Sequence, residues 1–195
     1  MGTRESETFT RAWCAALVAI AAALALPAAA SGELAHKEVK VDERNRIVTV
    51  GGYHPDLRAP DPDPSIGAAL GRFGEPSRAR VPDPTTCEVG WSQHGLTIFF
   101  ANFGGGDPCV LGRAQVIVLR GQAARGWHTN RGLYIRGRQS IMRREYRARE
   151  RGSGLFSLQR TRARFGTQTL HDVLTARITD GRVSSLGLFP LAAGD

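Results

Sequence analysis

Residues 87–119, CEVGWSQHGLTIFFANFGGGDPCVLGRAQVIVL, decide the fold. Cys87, Val89 and Trp91 alternate along one side of an extended run. His94-Gly95 marks a tight turn, and Leu96 to Phe103 returns as LTIFFANF. The loop Gly104-Gly105-Gly106-Asp107-Pro108 then leads to a third strand-like run, Ala114 to Leu119. The pattern predicts an antiparallel β-meander. Its glycine-rich loop shares only a glycine count with a phosphate cradle, since no Gly-Lys-Ser/Thr follows and no helix is expected after it.

Cysteine usage and the N-terminus bear on compartment. Arg4 and Arg11 precede an apolar run from Trp13 to Leu26, closed by Pro27 and by Ala28-Ala29-Ala30. That order is the basic, apolar and small-residue sequence of a secretory signal peptide, so residues 1–30 read as a leader cleaved after Ala30. The competing reading is a membrane anchor, but the run is short for a span and alanine drives insertion weakly. Cys14 is expected to leave with the leader. The remaining pair, Cys87 and Cys109, has neither CxxC spacing nor a histidine at zinc-like spacing, so a disulfide in an oxidising compartment is predicted. The expected location is secreted, or at least extracytoplasmic. Membrane contact is expected only through an uncleaved leader or weak electrostatic attraction.

Working outward, residues 31–63 read as an N-terminal arm and an Asp/Pro-rich linker. Ser31 to Arg46 is polar and mixed in charge and suggests a flexible segment. Ile47 to Val50 is a short strand stopped by Gly51-Gly52. PDLRAPDPDP, Pro55 to Pro64, reads as an extended, solvated spacer because each proline fixes its own φ and biases the residue before it. Asp61 and Asp63 form a DxD pair with no identifiable third oxygen ligand. Asp63 and Pro64 then suit the N-cap and first turn of a helix whose apolar face is Ile66, Ala69, Leu70 and Phe73. Gly67 and Gly71 weaken that helix or let it approach the sheet closely.

Residues 64–120 thus form a first unit of helix and meander, and 121–131 form a connection centred on Trp127. The pattern restarts over 132–195: a helix at about Arg138 to Arg149, a strand at Gly154 to Arg160, then two strands flanking Asp180-Gly181, the clearest hairpin signal in the chain. The fold class is α+β, with two repeat-like units, each a helix followed by an antiparallel β-meander, sharing one core. Phe73-Gly74-Glu75-Pro76, then Trp91, then the strand from Gly95-Leu96 to Phe100 resemble the β-lactamase-inhibitor-protein architecture. They are similar as well to the small lipoprotein domains of outer-membrane assembly factors. The resemblance implies a non-enzymatic binding surface and transfers no functional residue.

A net charge of +8 is carried almost wholly by arginine, Lys37 and Lys40 being the only lysines. Such a balance attracts anionic partners without choosing between them. On the expected second helix, Arg143, Arg144, Arg147 and Arg151 fall within an arc of about 100°, opposite Ile141, Met142, Tyr146 and Ala148. They are the candidate binding residues, together with Trp127. The alternative is a plain solvated face. Catalytic signatures are missing from the sequence: no G-x-S-x-G, H-E-x-x-H, P-loop or S-x-x-K. His36, His54, His94, His128 and His171 are scattered, and nothing selects a pair from Glu75, Glu88 and Asp107. The sequence therefore reads as a secreted, non-enzymatic binding or inhibitor-like module that needs no cofactor and no metal. Its partner is a protein or an anionic cell-surface polymer, and nucleic acid is disfavoured. The alternative is an extracytoplasmic hydrolase of unrecognised family, for which the GGGDP loop and a pocket gathering histidine or carboxylates are the places to look.

Overall fold

The structure, a computed structural model, describes residues 36–161 and 171–190. The expected leader and Cys14 lie outside the described residues. In chain order the elements are β1 (Glu38–Val41), β2 (Ile47–Val50), α1 (Ile66–Phe73), β3 (Arg78–Asp83), β4 (Thr86–Trp91), β5 (Leu96–Ala101), α2 (Pro108–Leu111) and β6 (Arg113–Arg120). They continue with β7 (His128–Thr129), α3 (Gln139–Glu145), β8 (Arg149–Gly152), β9 (Leu155–Thr161), β10 (His171–Thr179) and β11 (Arg182–Leu188). The fold is mixed α+β and mostly sheet.

The meander forms as its alternation requires. Cys87 pairs with Phe100, Trp91 with Leu96, and Ile98 with Ile117, and all six side chains are buried on one face. The turn between β4 and β5 ends on Gly95 in a left-handed conformation, φ 61°. A Cβ there would run into the Ala124 nitrogen and the Arg120 carbonyl, so only glycine lets the connection after β6 lie so close. A disulfide joins Cys87 on β4 to Cys109 on α2. Contrary to the expectation of a plain loop, the glycines are followed by this one-turn helix. Asp107 caps it by accepting from the Cys109 N–H at 2.7 Å, and Pro108 fills its first turn.

These strands belong to an eight-stranded sheet of order β3-β4-β5-β6-β11-β10-β9-β8, antiparallel throughout. Its β10–β11 hairpin turns on Asp180 and Gly181, both at positive φ, as the Asp-Gly signal predicts. One face carries the core: Trp91, Leu96, Ile98, Phe100, Ile117 and Leu119 continue into Leu186, Leu174, Ala176 and Phe156. On the other face a row of mostly small residues crosses the sheet through Gly90, Thr97, Val118, Gly187, Thr175 and Ser157.

A second sheet, β2-β1-β7, contributes Val39, Val41, Ile47 and Val50 to the same hydrophobic cluster. The segment read as a flexible arm therefore contains β1. Val39 and Val41 recur at strand period, and a strand between two partners buries both. Trp127 is fully buried between the sheets. Its indole N–H donates to the His94 carbonyl at 2.9 Å, and its ring lies over Gly51.

The proline-rich stretch is only half solvated. Asp56 is fully buried and accepts from the Ile47 N–H (3.1 Å), the Arg58 N–H (3.0 Å) and the Arg58 guanidinium (2.6 Å), which pins this segment against β2. Helix α1 is capped by Ser65, not Asp63, its hydroxyl accepting from the Ala68 N–H at 3.1 Å. Ile66, Ala69 and Phe73 are buried, with Phe73 5.3 Å from the Trp91 ring, whereas Leu70 faces outward. Gly71 stands in open space, so it serves no close approach.

Candidate functional site

The second helix is shorter than its periodicity suggests. Met142 is its buried anchor, and the chain leaves helical geometry at Tyr146, with φ −131° and ψ 142°. Two interactions pull it out. The Tyr146 ring is buried, with its hydroxyl donating to Thr129 Oγ1 at 2.6 Å. Beyond it, Arg149 to Gly152 find strand partners on β9. Of the four arginines placed on one helical arc, Arg143 and Arg144 lie on α3, Arg147 on the connection and Arg151 on β8.

Leaving the helix early brings three of them together. Arg143, Arg144 and Arg147 line a cleft of about 450 Å³ with Arg131, Arg160, Glu145, Tyr146, Asn45, Leu158 and Gln159. A smaller cleft of about 300 Å³ shares Arg147, Leu158 and Arg160 and adds Arg149 and Ser157, so the arginine lining runs on to β8. Arg151 is not part of the larger cleft. It pairs with Asp172 at 2.9 Å, beside Arg160 at 2.8 Å and the Ser157 hydroxyl at 2.7 Å. Burial works against the Asp172 carboxylate. The Ser157 and Arg151 hydrogen bonds and the charges of Arg151 and Arg160 outweigh it and hold the pKa below the usual value.

The cleft arginines differ in how they are held. Arg144 pairs with Glu145 at 2.6 Å and Arg160 with Asp172. Among the described residues, Arg131, Arg143 and Arg147 have no ion pair. Aromatic rings position two of these: the Arg131 guanidinium lies 5.5 Å from the Tyr146 centroid, and that of Arg143 5.3 Å from Phe156. The Gln139 amide, oriented to accept, also meets Arg143 at 3.1 and 3.3 Å.

Gln159 has no counterpart in the sequence reading. It is 6% exposed, and among the described residues neither its Oε1 nor its Nε2 has a partner. The β9–β10 pairing is irregular around it. Leu158 on β9 and Val173 on β10 are each one residue too many, which sets Gln159 opposite the buried Leu174. Arg160, part of the same arginine-rich run but not among the candidate binding residues, reaches the cleft from β9, and Arg131 reaches it from the connection after β7. For β8 a signal does exist. Gly152-Ser153-Gly154, all at positive φ, is a hairpin turn and requires a strand before it.

The other candidates sit elsewhere. Trp127, fully buried, offers no surface to a partner. His94 packs 6.4 Å from the Phe73 ring; burial first, then the charge of Lys37, push its pKa down against a backbone hydrogen bond at Phe73. His171 opens β10. Glu88 is held by Arg78 at 2.7 Å and by Arg80, and Asp107 is the cap of α2. Asp61 and Asp63 are exposed, and among the described residues no three His, Cys, Asp or Glu gather as metal ligands. Beside the GGGDP loop, Phe103 (77% exposed), Val110 and Leu111 stand in solvent. Among the described residues no helix is long and apolar enough to cross a membrane.

No family model, no curated protein and no solved structure matches the chain.

Proposed function

We propose that this chain is an extracytoplasmic, non-enzymatic binding module that holds an anionic partner, a protein face or a cell-surface polymer, through the arginine-lined cleft. One observation carries the reading. Five arginines and one acid, Glu145, line the cleft; Glu145 is paired with Arg144, and Arg131, Arg143 and Arg147 have no ion pair among the described residues. Like charges brought together repel, and a site that keeps them together gains when an anion enters. The disulfide and the signal-like N-terminus support an exported location.

Strand order supports a two-unit reading of the body. Helix α1 precedes β3-β4-β5-β6 and α3 precedes β8-β9-β10-β11, with β6 and β11 side by side at the centre of the sheet. In that reading the molecule is similar to the β-lactamase-inhibitor-protein architecture, a scaffold for recognition and not for turnover.

The test is binding of the disulfide-intact chain to dextran sulfate and to uncharged dextran, at low and at physiological salt. Wild type is expected to retain only the charged polymer, less so as salt rises. Arg143→Gln/Arg147→Gln is expected to weaken that binding by about tenfold, on the scale of two charge-assisted contacts. Equal retention of wild type and double variant overturns the proposal, as does turnover by the wild type on a panel of hydrolase substrates.

A further inference from the structure

We infer that the cleft takes a tetrahedral oxyanion, a phosphate monoester carried on a sugar or polyol, and that Gln159 reads the hydroxylated part of that ligand. This rests on the reading of the cleft as an anion site and adds what the anion is.

The shape of the charge cluster argues for a tetrahedral group. The guanidiniums come from separate segments: Arg131 from the connection after β7, Arg143 from α3, Arg147 from beyond it and Arg160 from β9. A planar carboxylate presents its acceptors in one plane and is satisfied by one or two arginine forks. A phosphate monoester presents acceptors on every side and carries a charge approaching −2 at neutral pH, which suits several guanidiniums around one volume.

Gln159 argues for the rest of the ligand. A buried amide with neither atom paired is costly, and native structures rarely keep one. It holds a donor and an acceptor together, the complement of a ligand that offers an anionic oxygen and a hydroxyl. Gln159 lines the cleft, and both its amide atoms lie out of solvent. No described acid pairs with Arg131, Arg143 or Arg147, so their charge is available to an anion entering the cleft. At about 450 Å³ the cleft has room for one sugar- or glycerol-phosphate.

Calorimetric titration of the disulfide-intact chain with sn-glycerol 3-phosphate, inorganic phosphate, acetate and glycerol tests this. The expected order is glycerol phosphate roughly fivefold tighter than phosphate, the increment of one hydrogen bond, with no saturable binding of acetate or glycerol. Gln159→Leu is expected to weaken glycerol phosphate about tenfold while leaving dextran sulfate binding unchanged. The same variant is expected to melt higher than wild type without ligand, because it removes two unpaired polar atoms; a purely structural glutamine would give a lower melting temperature. A parallel arm with vesicles containing phosphatidic acid separates a lipid headgroup from a soluble ester, which alone is expected to compete in free solution. Equal affinity of wild type and Gln159→Leu for glycerol phosphate overturns the inference, as does acetate binding as tightly as phosphate. Loss of dextran sulfate binding in Arg143→Gln/Arg147→Gln alongside either result leaves the anion-binding reading standing. No loss in that variant overturns both.

Discussion

The two ends of the eight-stranded sheet are both rich in arginine and treat it in opposite ways. At the β3–β4 end, Arg78 and Arg80 share Glu88, whose side chain is only 3% exposed, and the Arg78 chain lies flat across Gly90. At the β8–β9 end, Asp172 takes Arg151 and Arg160 in the same two-to-one fashion, but Arg131, Arg143 and Arg147 have no ion pair among the described residues, the one acid of their cleft, Glu145, being taken by Arg144. The first cluster is closed: its carboxylate needs both partners because it is buried. The second is open, its surplus charge collected around a space. If the open cluster is the binding site proposed for it, the position of the nearest buried carboxylate, and not arginine content, separates scaffold from site.

The comparison can be broken at four points, in falling order of effect. Replacing both Cys87 and Cys109 by alanine removes the clasp at the closed end. It is expected to cost about 3 kcal/mol on the loop-entropy account, and thermal denaturation should show a drop of roughly 6–12 °C. Arg78→Ala/Arg80→Ala leaves Glu88 buried and unpaired. A loss of about 2 kcal/mol in denaturant titration is expected, because breaking a buried pair costs more than the pair contributes.

Asp172→Asn is the matching change at the open end, where the carboxylate is partly solvated, and about 1 kcal/mol is expected. The sign of its pH dependence follows from the lowered pKa. The folded form releases its proton more readily than the unfolded one, so the stabilisation is full above the unfolded pKa of about 4. It disappears as pH falls through the folded pKa. Wild type and Asp172→Asn should therefore converge in stability under acid, and a constant gap from pH 7 to acid would show that the charge is not what matters. The smallest stability effect belongs to Arg143→Gln/Arg147→Gln. It is expected to stay within about 0.5 kcal/mol of wild type, or to stabilise at low salt, since it relieves repulsion and breaks no ion pair. A loss comparable to Arg78→Ala/Arg80→Ala would mean that these arginines are scaffold after all.

Local rules exposed much of the closed end in the sequence, and the central hairpin as well. Alternation in Cys87–Trp91, two cysteines bracketing a loop and an Asp-Gly turn each act over a few residues, and the disulfide and the β10–β11 hairpin follow from them. The open end was legible only in part. The run from Arg138 to Arg149 satisfies helical periodicity, but Tyr146 gains more by burying its ring with its hydroxyl on Thr129, and the next residues gain strand partners. The first gain depends on a segment 17 residues away, whereas the second comes from the adjoining β8–β9 hairpin. Gln159 was hidden for a related reason: its burial depends on the β10 partner and on the segments that line the cleft, which alternation along one strand does not reveal. β3 escaped notice because RARVPD is charged and contains a proline, which an edge strand tolerates and a central one does not.

The central place of β11 also bears on the order of assembly. It is the last described strand in the chain, yet it lies between β6 and β10 in the middle of the sheet. A chain emerging N-terminus first can pair β3 through β6 early, after which β6 waits with a bare edge carrying Val116, Ile117 and Val118. The Asp180-Gly181 turn lets β10 and β11 arrive as a preformed hairpin, so the last event is the insertion of a wedge and not the growth of an edge. Until that insertion, the half-built sheet is the species most prone to pair with another copy of itself.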